Sequence, residues 1–237
     1  MAGAFTLIEL LVVIAIIALL MSILMPALGQ AKRIARETIC ATNIRNLVTA
    51  FHMYADSHDG RLPQMSHNPE VDVNEHQVVY WISTYYRDLM IENYNVQRKM
   101  FYSPTNPAWN RDDFWEPEND SEGWSTVIGY FCWGGDPRLQ HDLKNWMFDP
   151  PNTGKPLFPV NLYDDSYYDF LWTDMNRQLG DGNWITTWDA DRWGANHLYD
   201  RLWPTGSHVG LITGGVIWTE PEDLEHRFTH RGARFFW

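Results

Sequence analysis

Phe5–Met25 reads FTLIELLVVIAIIALLMSILM, an apolar run whose only polar members are Thr6, Glu9 and Ser22. At about 1.5 Å of rise per residue, a helix of that length spans roughly 30 Å, the thickness of a bilayer's hydrocarbon core. The run is apolar on every face and sits near one end of the chain, so a membrane helix fits it better than the core helix of a globular domain. A cleaved secretory signal is the competing reading. Its apolar region is about 7–15 residues long and follows a basic segment, whereas the first cation here is Lys32.

Glu9 is the residue that needs explaining. A carboxylate inside such a helix costs roughly 2.5–3.5 kcal/mol on insertion scales unless something compensates it. Near the helix start it can reach the headgroup zone and meet the helix dipole. Alternatively, it pairs with a cation from another copy of the chain when many copies pack their helices together.

Over residues 3–33 the sequence resembles the N-terminal class III signal segment of type IV pilins and type II secretion pseudopilins, through FTLIELLVVIAIIALL. The resemblance implies cleavage by a prepilin peptidase before Phe5, N-methylation of Phe5, and Glu9 as the fifth mature residue. It implies that Glu9 neutralises the methylated amino terminus of a neighbouring subunit, and that Pro26 stands where pilins carry a helix-kinking proline. The order Gly3-Ala4-Phe5 leaves two cleavage sites open, after Ala4 from the register of Glu9 or after Gly3, the residue the family places before Phe. Met1–Ala4 carries no cation where the family leader is basic, which suggests a truncated leader. Lys32, Arg33 and Arg36, read alone through the positive-inside rule, would put the C-terminal part in the cytoplasm. The resemblance implies instead a single-pass inner-membrane protein with a periplasmic domain, or an extracellular or periplasmic filament once assembled.

Beyond Pro26, Ile34, Cys40, Ile44, Leu47, Val48, Phe51 and Tyr54 recur at spacings of three and four, the mark of an amphipathic helix. The helix is expected to run to about Ala55, ended by Asp56–Gly60 and kept from restarting by Pro63. Four segments follow: a leader at 1–4, a transmembrane or filament-core helix at 5–25, its amphipathic continuation at 26–58, and an α+β domain at 59–237. In that domain Gln77–Tyr86 reads as a strand or as the start of a helix to Met90. Ser125–Trp133, Trp184–Trp188, His208–Ile212 and Gly215–Trp218 read as strands, the last two as a hairpin turning at Thr213-Gly214. Pro221 is suited to opening a short helix over Leu224–Thr229. The expected fold is pilin-like: a long N-terminal helix on a C-terminal antiparallel sheet.

The segment Cys40–Leu47, with Tyr54–Pro63, is similar to a large pseudopilin-like group of planctomycetes and verrucomicrobia. That group often carries a C-terminal motif of histidine, nine residues and Asp-Gly. Here Gly206–Trp218 follows Asn196-His197-Leu198 in a comparable layout, but Gly214 stands at the aspartate and Pro204 at the histidine. In that group the helix cysteine has a partner in a Cys-Pro near the sheet, which here reads Ser103-Pro104.

Composition removes several classes. With 18 Lys+Arg against 30 Asp+Glu, a net charge of −12 and a mean hydropathy of −0.38, nucleic acid is not the expected partner, since phosphate binding needs clustered cations. Two cysteines cannot staple a small disulfide scaffold; a Cys40–Cys132 bridge and two buried thiols are the alternatives. Acidic loops at Asp56–Gly60, Asp164-Asp165, Asp181-Gly182-Asn183 and Asp189-Ala190-Asp191 suit calcium in kind. None has EF-hand spacing, so solvated turns are the plainer reading, with Asp189 and Asp191 as the calcium candidates. His226 and His230 with Glu222 could chelate a metal if all three lie on a helix. No Gly-x-Ser-x-Gly, His-Glu-x-x-His, P-loop or dinucleotide fingerprint occurs, and no enzyme activity or cofactor is expected.

Two readings of function result. In one, the chain is a structural subunit of a type IV pilus or a type II secretion pseudopilus. Its partners are its own copies, the prepilin peptidase, the inner-membrane assembly platform and, before assembly, membrane lipid. In the other, it is a membrane-anchored or minor-pilin surface protein that binds polysaccharide through its Trp-rich domain, the chain holding 13 Trp. An anchored protein with the signal but no filament is a third arrangement.

Overall fold

The computed structural model describes residues 6–67, 69, 79–116, 125–137, 154–179, 195–199, 203–230 and 233–236. In chain order the elements are α1 (Leu7–Asp56), β1 (Trp81–Ser83), α2 (Thr84–Tyr94), α3 (Asp112–Trp115), β2 (Ser125–Val127), β3 (Tyr130–Cys132), β4 (Phe170–Asp174), β5 (Arg177–Leu179), β6 (Leu198–Tyr199), β7 (Trp203–Pro204), β8 (Ser207–Leu211), β9 (Val216–Thr219), β10 (His226–His230) and β11 (Ala233–Phe236). The chain divides into two compact units, Met1–Thr38 and Ile39–Trp237.

The first unit is the N-terminal part of α1. Its apolar side chains, among them Leu7, Ile14, Leu20 and Leu28, are exposed. This helix is the one described element long and apolar enough to cross a membrane, and none of its apolar window is buried. Its start is set by a capping box. Thr6 Oγ1 accepts from Glu9 N at 3.3 Å, while Glu9 Oε2 accepts from Thr6 N at 2.8 Å and Thr6 Oγ1 at 2.7 Å. Pro26 lies inside the helix without ending it.

In the second unit α1 buries Cys40, Asn43, Ile44, Leu47, Val48, Ala50, Phe51, Tyr54 and Ala55. That is the face given by the three-and-four spacing, and the helix ends at Asp56, as its turn signals require. Its main support is an antiparallel sheet in the order β3-β4-β8-β9. Phe51 meets Trp172 of β4 edge-on, with ring centroids 5.2 Å apart. Gly210 of β8 lies under the helix, where a Cβ would meet Ile44 Cγ2 at 2.6 Å and Val48 Cγ2 at 2.7 Å. Gly210→Ala should therefore overpack this contact and lower stability by about 1–3 kcal/mol, read as a lower thermal midpoint of the full chain in detergent. An unchanged midpoint would contradict so close an approach of helix and sheet.

The β8–β9 hairpin forms as read, with Val209 opposite Ile217 and a turn through Gly214 at φ +92°. Gln77–Tyr86 combines both of its readings over the described residues: β1 pairs with β2, and α2 follows at once, with Ser83 Oγ accepting from Tyr86 N. Two readings are corrected. Ser125–Trp133 is not one strand, because the chain leaves β1 at Ile128-Gly129, where Gly129 N donates to Phe101 O, and re-pairs as β3 on β4. No helix covers Leu224–Thr229: a 3-10 turn at Pro221–Asp223 gives way to β10, which pairs with β11, and Phe236 N donates to Asn176 O. Ladder pairing outweighs local helix preference there. Trp184–Trp188 lies outside the described residues.

Candidate functional site

Where β4 ends, a buried polar cluster interrupts the aromatic core. Asp174, the last residue of β4, faces Tyr130 across the sheet and has no exposed surface. Its Oδ2 accepts from the backbone N of His208 at 2.8 Å and lies 2.8 Å from His208 Nδ1. Its Oδ1 accepts from Asn196 Nδ2 at 3.1 Å. His197 Nε2 sits 2.8 Å from the same Oδ2, an ion pair with the protonated imidazole.

The elements that bring these residues together are separated in sequence. Asn196 and His197 lie on the segment before β6, which is anchored by Asn196 N to Met175 O, Asn196 Nδ2 to Gly129 O, Asn106 Nδ2 to Ala195 O and Thr205 N to His197 O. Those ties hold His197 at φ +55°, an uncommon backbone for a residue with a Cβ. Trp218 of β9 packs on both imidazoles, with centroids 4.6 Å from His208 and 5.5 Å from His197. Gly206, at φ +142°, leaves room for that indole: a Cβ there would sit 2.1 Å from Trp218 Cζ2.

Electrostatics couple the pair. Burial pulls the His197 imidazolium down, but the Asp174 carboxylate beside it outweighs burial and lifts its pKa to about 10. Burial pushes Asp174 up, and His197 with His208 overcomes this and holds its carboxyl well below the usual range. Both shifts favour the charged forms of this buried pair at neutral pH.

Cys40 and Cys132 are not bridged. Both are buried free thiols, one of the two alternatives left open by the sequence: Cys132 lies against the carbonyl of Gly134, and Cys40 Sγ lies 3.0 Å from Ser103 Oγ. The helix cysteine thus faces the Ser-Pro position that the sequence reading singles out. His226 and His230 lie on β10, where four residues span roughly 13 Å along the strand, too far for the shared chelate a helix would allow. Asp164 Oδ2 accepts from Val160 N and Asn161 N, and Asp165 pairs with Lys155, so these carboxylates hold a turn. Asp56 ends α1, and Asp59 and Gly60 turn the chain at positive φ. Asp181, Asn183, Asp189, Asp191 and the processing site at Gly3, Ala4 and Phe5 lie outside the described residues. Among the described tryptophans, Trp109, Trp115, Trp133 and Trp172 are buried, and Trp81 and Trp218 are half-buried.

Asn196, His197 and His208 stand out in the sequence only as neighbours of a degenerate motif. Asp174 does not stand out at all. The available signal is an acid closing the apolar run FLWTD, since a charge there must be paired if the strand is central.

A long apolar helix followed by antiparallel sheets is an α+β arrangement consistent with a pilin-like fold and with membrane anchoring. Residues 1–25 match the family model described as the prokaryotic N-terminal methylation motif. With the apolar helix, that prepilin-type motif is consistent with the type IV pilin and pseudopilin family. No curated protein and no solved structure matches the chain.

Proposed function

We propose that the chain is a structural subunit of a type IV pilus or a type II secretion pseudopilus, made as a precursor that waits in the inner membrane with its globular domain in the periplasm. The observation that carries this reading is the methylation motif at residues 1–25 on a helix whose apolar side chains are exposed in the single chain. Such a surface must be covered by lipid or by other helices. Before assembly lipid covers it; in the filament, neighbouring copies do. Glu9, tied to Thr6 in the single chain, then turns to the methylated amino terminus of the adjacent subunit, and the assembly platform and prepilin peptidase are the remaining partners. The role is structural rather than enzymatic, in keeping with the motif.

Polysaccharide binding through a tryptophan face gains no support from Trp81, Trp109, Trp115, Trp133, Trp172 and Trp218, none of which is fully exposed. Co-expression with a prepilin peptidase tests the precursor reading. The expected product has lost the residues before Phe5 and begins at N-methylated phenylalanine, read by intact mass. A chain left full-length beside an active peptidase would contradict it.

A further inference from the structure

A second function class emerges at the buried cluster, independent of whether the chain forms filaments. Cys40 Sγ, one Asp174 carboxylate oxygen and one His197 ring nitrogen all lie within 4.8 Å of one another, and all three residues are buried. His197 Nδ1 is buried without a well-aligned hydrogen bond, His197 Nε2 is held by the Asp174 carboxylate at 2.8 Å, and the buried hydroxyl of Tyr130 lies among Asn43, Cys40 and Asp174. Buried polar atoms without a well-aligned hydrogen bond are uncommon, because each costs on the order of 1–3 kcal/mol. A thiol, a carboxylate and an imidazole converging in this way mark a place where one ion could bind all three.

We propose that Cys40, Asp174 and His197 form a three-donor site for a borderline-soft divalent cation of the zinc class. The donor set is a thiolate, an imidazole and a carboxylate, which suits zinc and not calcium, a hard ion that takes six to eight oxygens. Zinc bonds of about 2.0–2.3 Å put neighbouring donors roughly 3–4 Å apart, within a small side-chain adjustment of the present spacing. Binding requires Cys40 as thiolate and His197 as neutral imidazole, so the thiol proton and the imidazolium proton leave to solvent as the dication enters. The ion's charge replaces theirs against the Asp174 carboxylate, and the buried cluster stays electrically balanced.

The supporting shell is already in place. His208 and Asn196 orient the Asp174 carboxylate, Thr105 Oγ1 accepts from His197 N at 3.3 Å, and Ser103 holds Cys40. Ser103, which lies against Cys40, also lines a groove of about 690 Å³ along α1 together with Asn43. The site joins α1, β4 and the segment before β6, so a bound ion would cross-link the helix to the sheet where a disulfide is absent.

The test uses the untagged full chain in detergent, stripped with a chelator and titrated with Co²⁺, then Zn²⁺. The expected result is a thiolate-to-cobalt charge-transfer band that saturates at about one equivalent and is erased by Zn²⁺, with no response to Ca²⁺. Cys132→Ser leaves Cys40 as the single thiol, and it should keep the band, whereas Cys40→Ser should lose it. His208→Ala, one shell out, should weaken binding about 10–100-fold. A wild-type chain without the band overturns the proposal, and so does a band absent from Cys132→Ser. Because Cys132→Ser assigns the band by elimination, a Cys40 variant that fails to fold leaves the decision intact.

Discussion

Asp174→Ala is expected to lower the thermal midpoint of the chain by roughly 6–20 °C. Removing one partner of a buried ion pair costs about 3–5 kcal/mol, since it strands the remaining charge, and 1 kcal/mol corresponds to about 2–4 °C for a chain of this size. Here the loss would strand the His197 cation, His208 Nδ1, the backbone N of His208 and Asn196 Nδ2 together. Asp165→Ala is the control. Its carboxylate pairs with Lys155 at the surface, with 81% of the side chain exposed, and such pairs are worth at most about 1 kcal/mol. Differential scanning calorimetry or intrinsic fluorescence of the 13 Trp reads both variants. Equal midpoints for the two would show that Asp174 does not organise the core.

Glu9 carries the second large effect, and two substitutions separate its roles. Glu9→Gln keeps the capping box, because glutamine also reaches back to the Thr6 amide, but it removes the charge. Glu9→Ala removes both. If Glu9 pairs with the amino terminus of a neighbour, each variant should remain in the membrane and lose filament incorporation at least about tenfold, the change that forfeiting 1.4 kcal/mol produces. Membrane residence should not suffer, since a carboxylate only raises the cost of insertion. Wild-type filament yield from Glu9→Gln would reduce the residue to a helix cap. Quantitative immunoblots of sheared and membrane fractions measure the ratio.

Legibility in the sequence tracks the range of the interactions involved. The course of α1 is set by local periodicity and terminated by local turn chemistry, so Cys40–Ala55 can be read without any knowledge of the sheet. The β8–β9 hairpin is legible for the same reason. Leu224–Thr229 is misread because its pairing partner, β11, supplies information that the segment itself lacks. Ser125–Trp133 is misread because one apolar run serves two sheets. The buried cluster is the least legible part: Cys40, Asp174, His197 and His208 come from four distant segments, and only the sheet register and the anchoring of Ala195–His197 bring them together. Cys40 reads in the sequence as either half of a bridge or a buried thiol, and the residue it faces is Ser103, at the Ser-Pro position that the resemblance itself points to.

The filament reading rests most directly on one quantity, the intact mass of the protein recovered from sheared surface material, set beside that from native membranes. A mature chain beginning at methylated Phe5 in the sheared fraction is the predicted result. A chain still beginning at Met1 and confined to the membrane fraction would contradict assembly and leave an anchored protein whose buried cluster, not its helix, is the place to look for function.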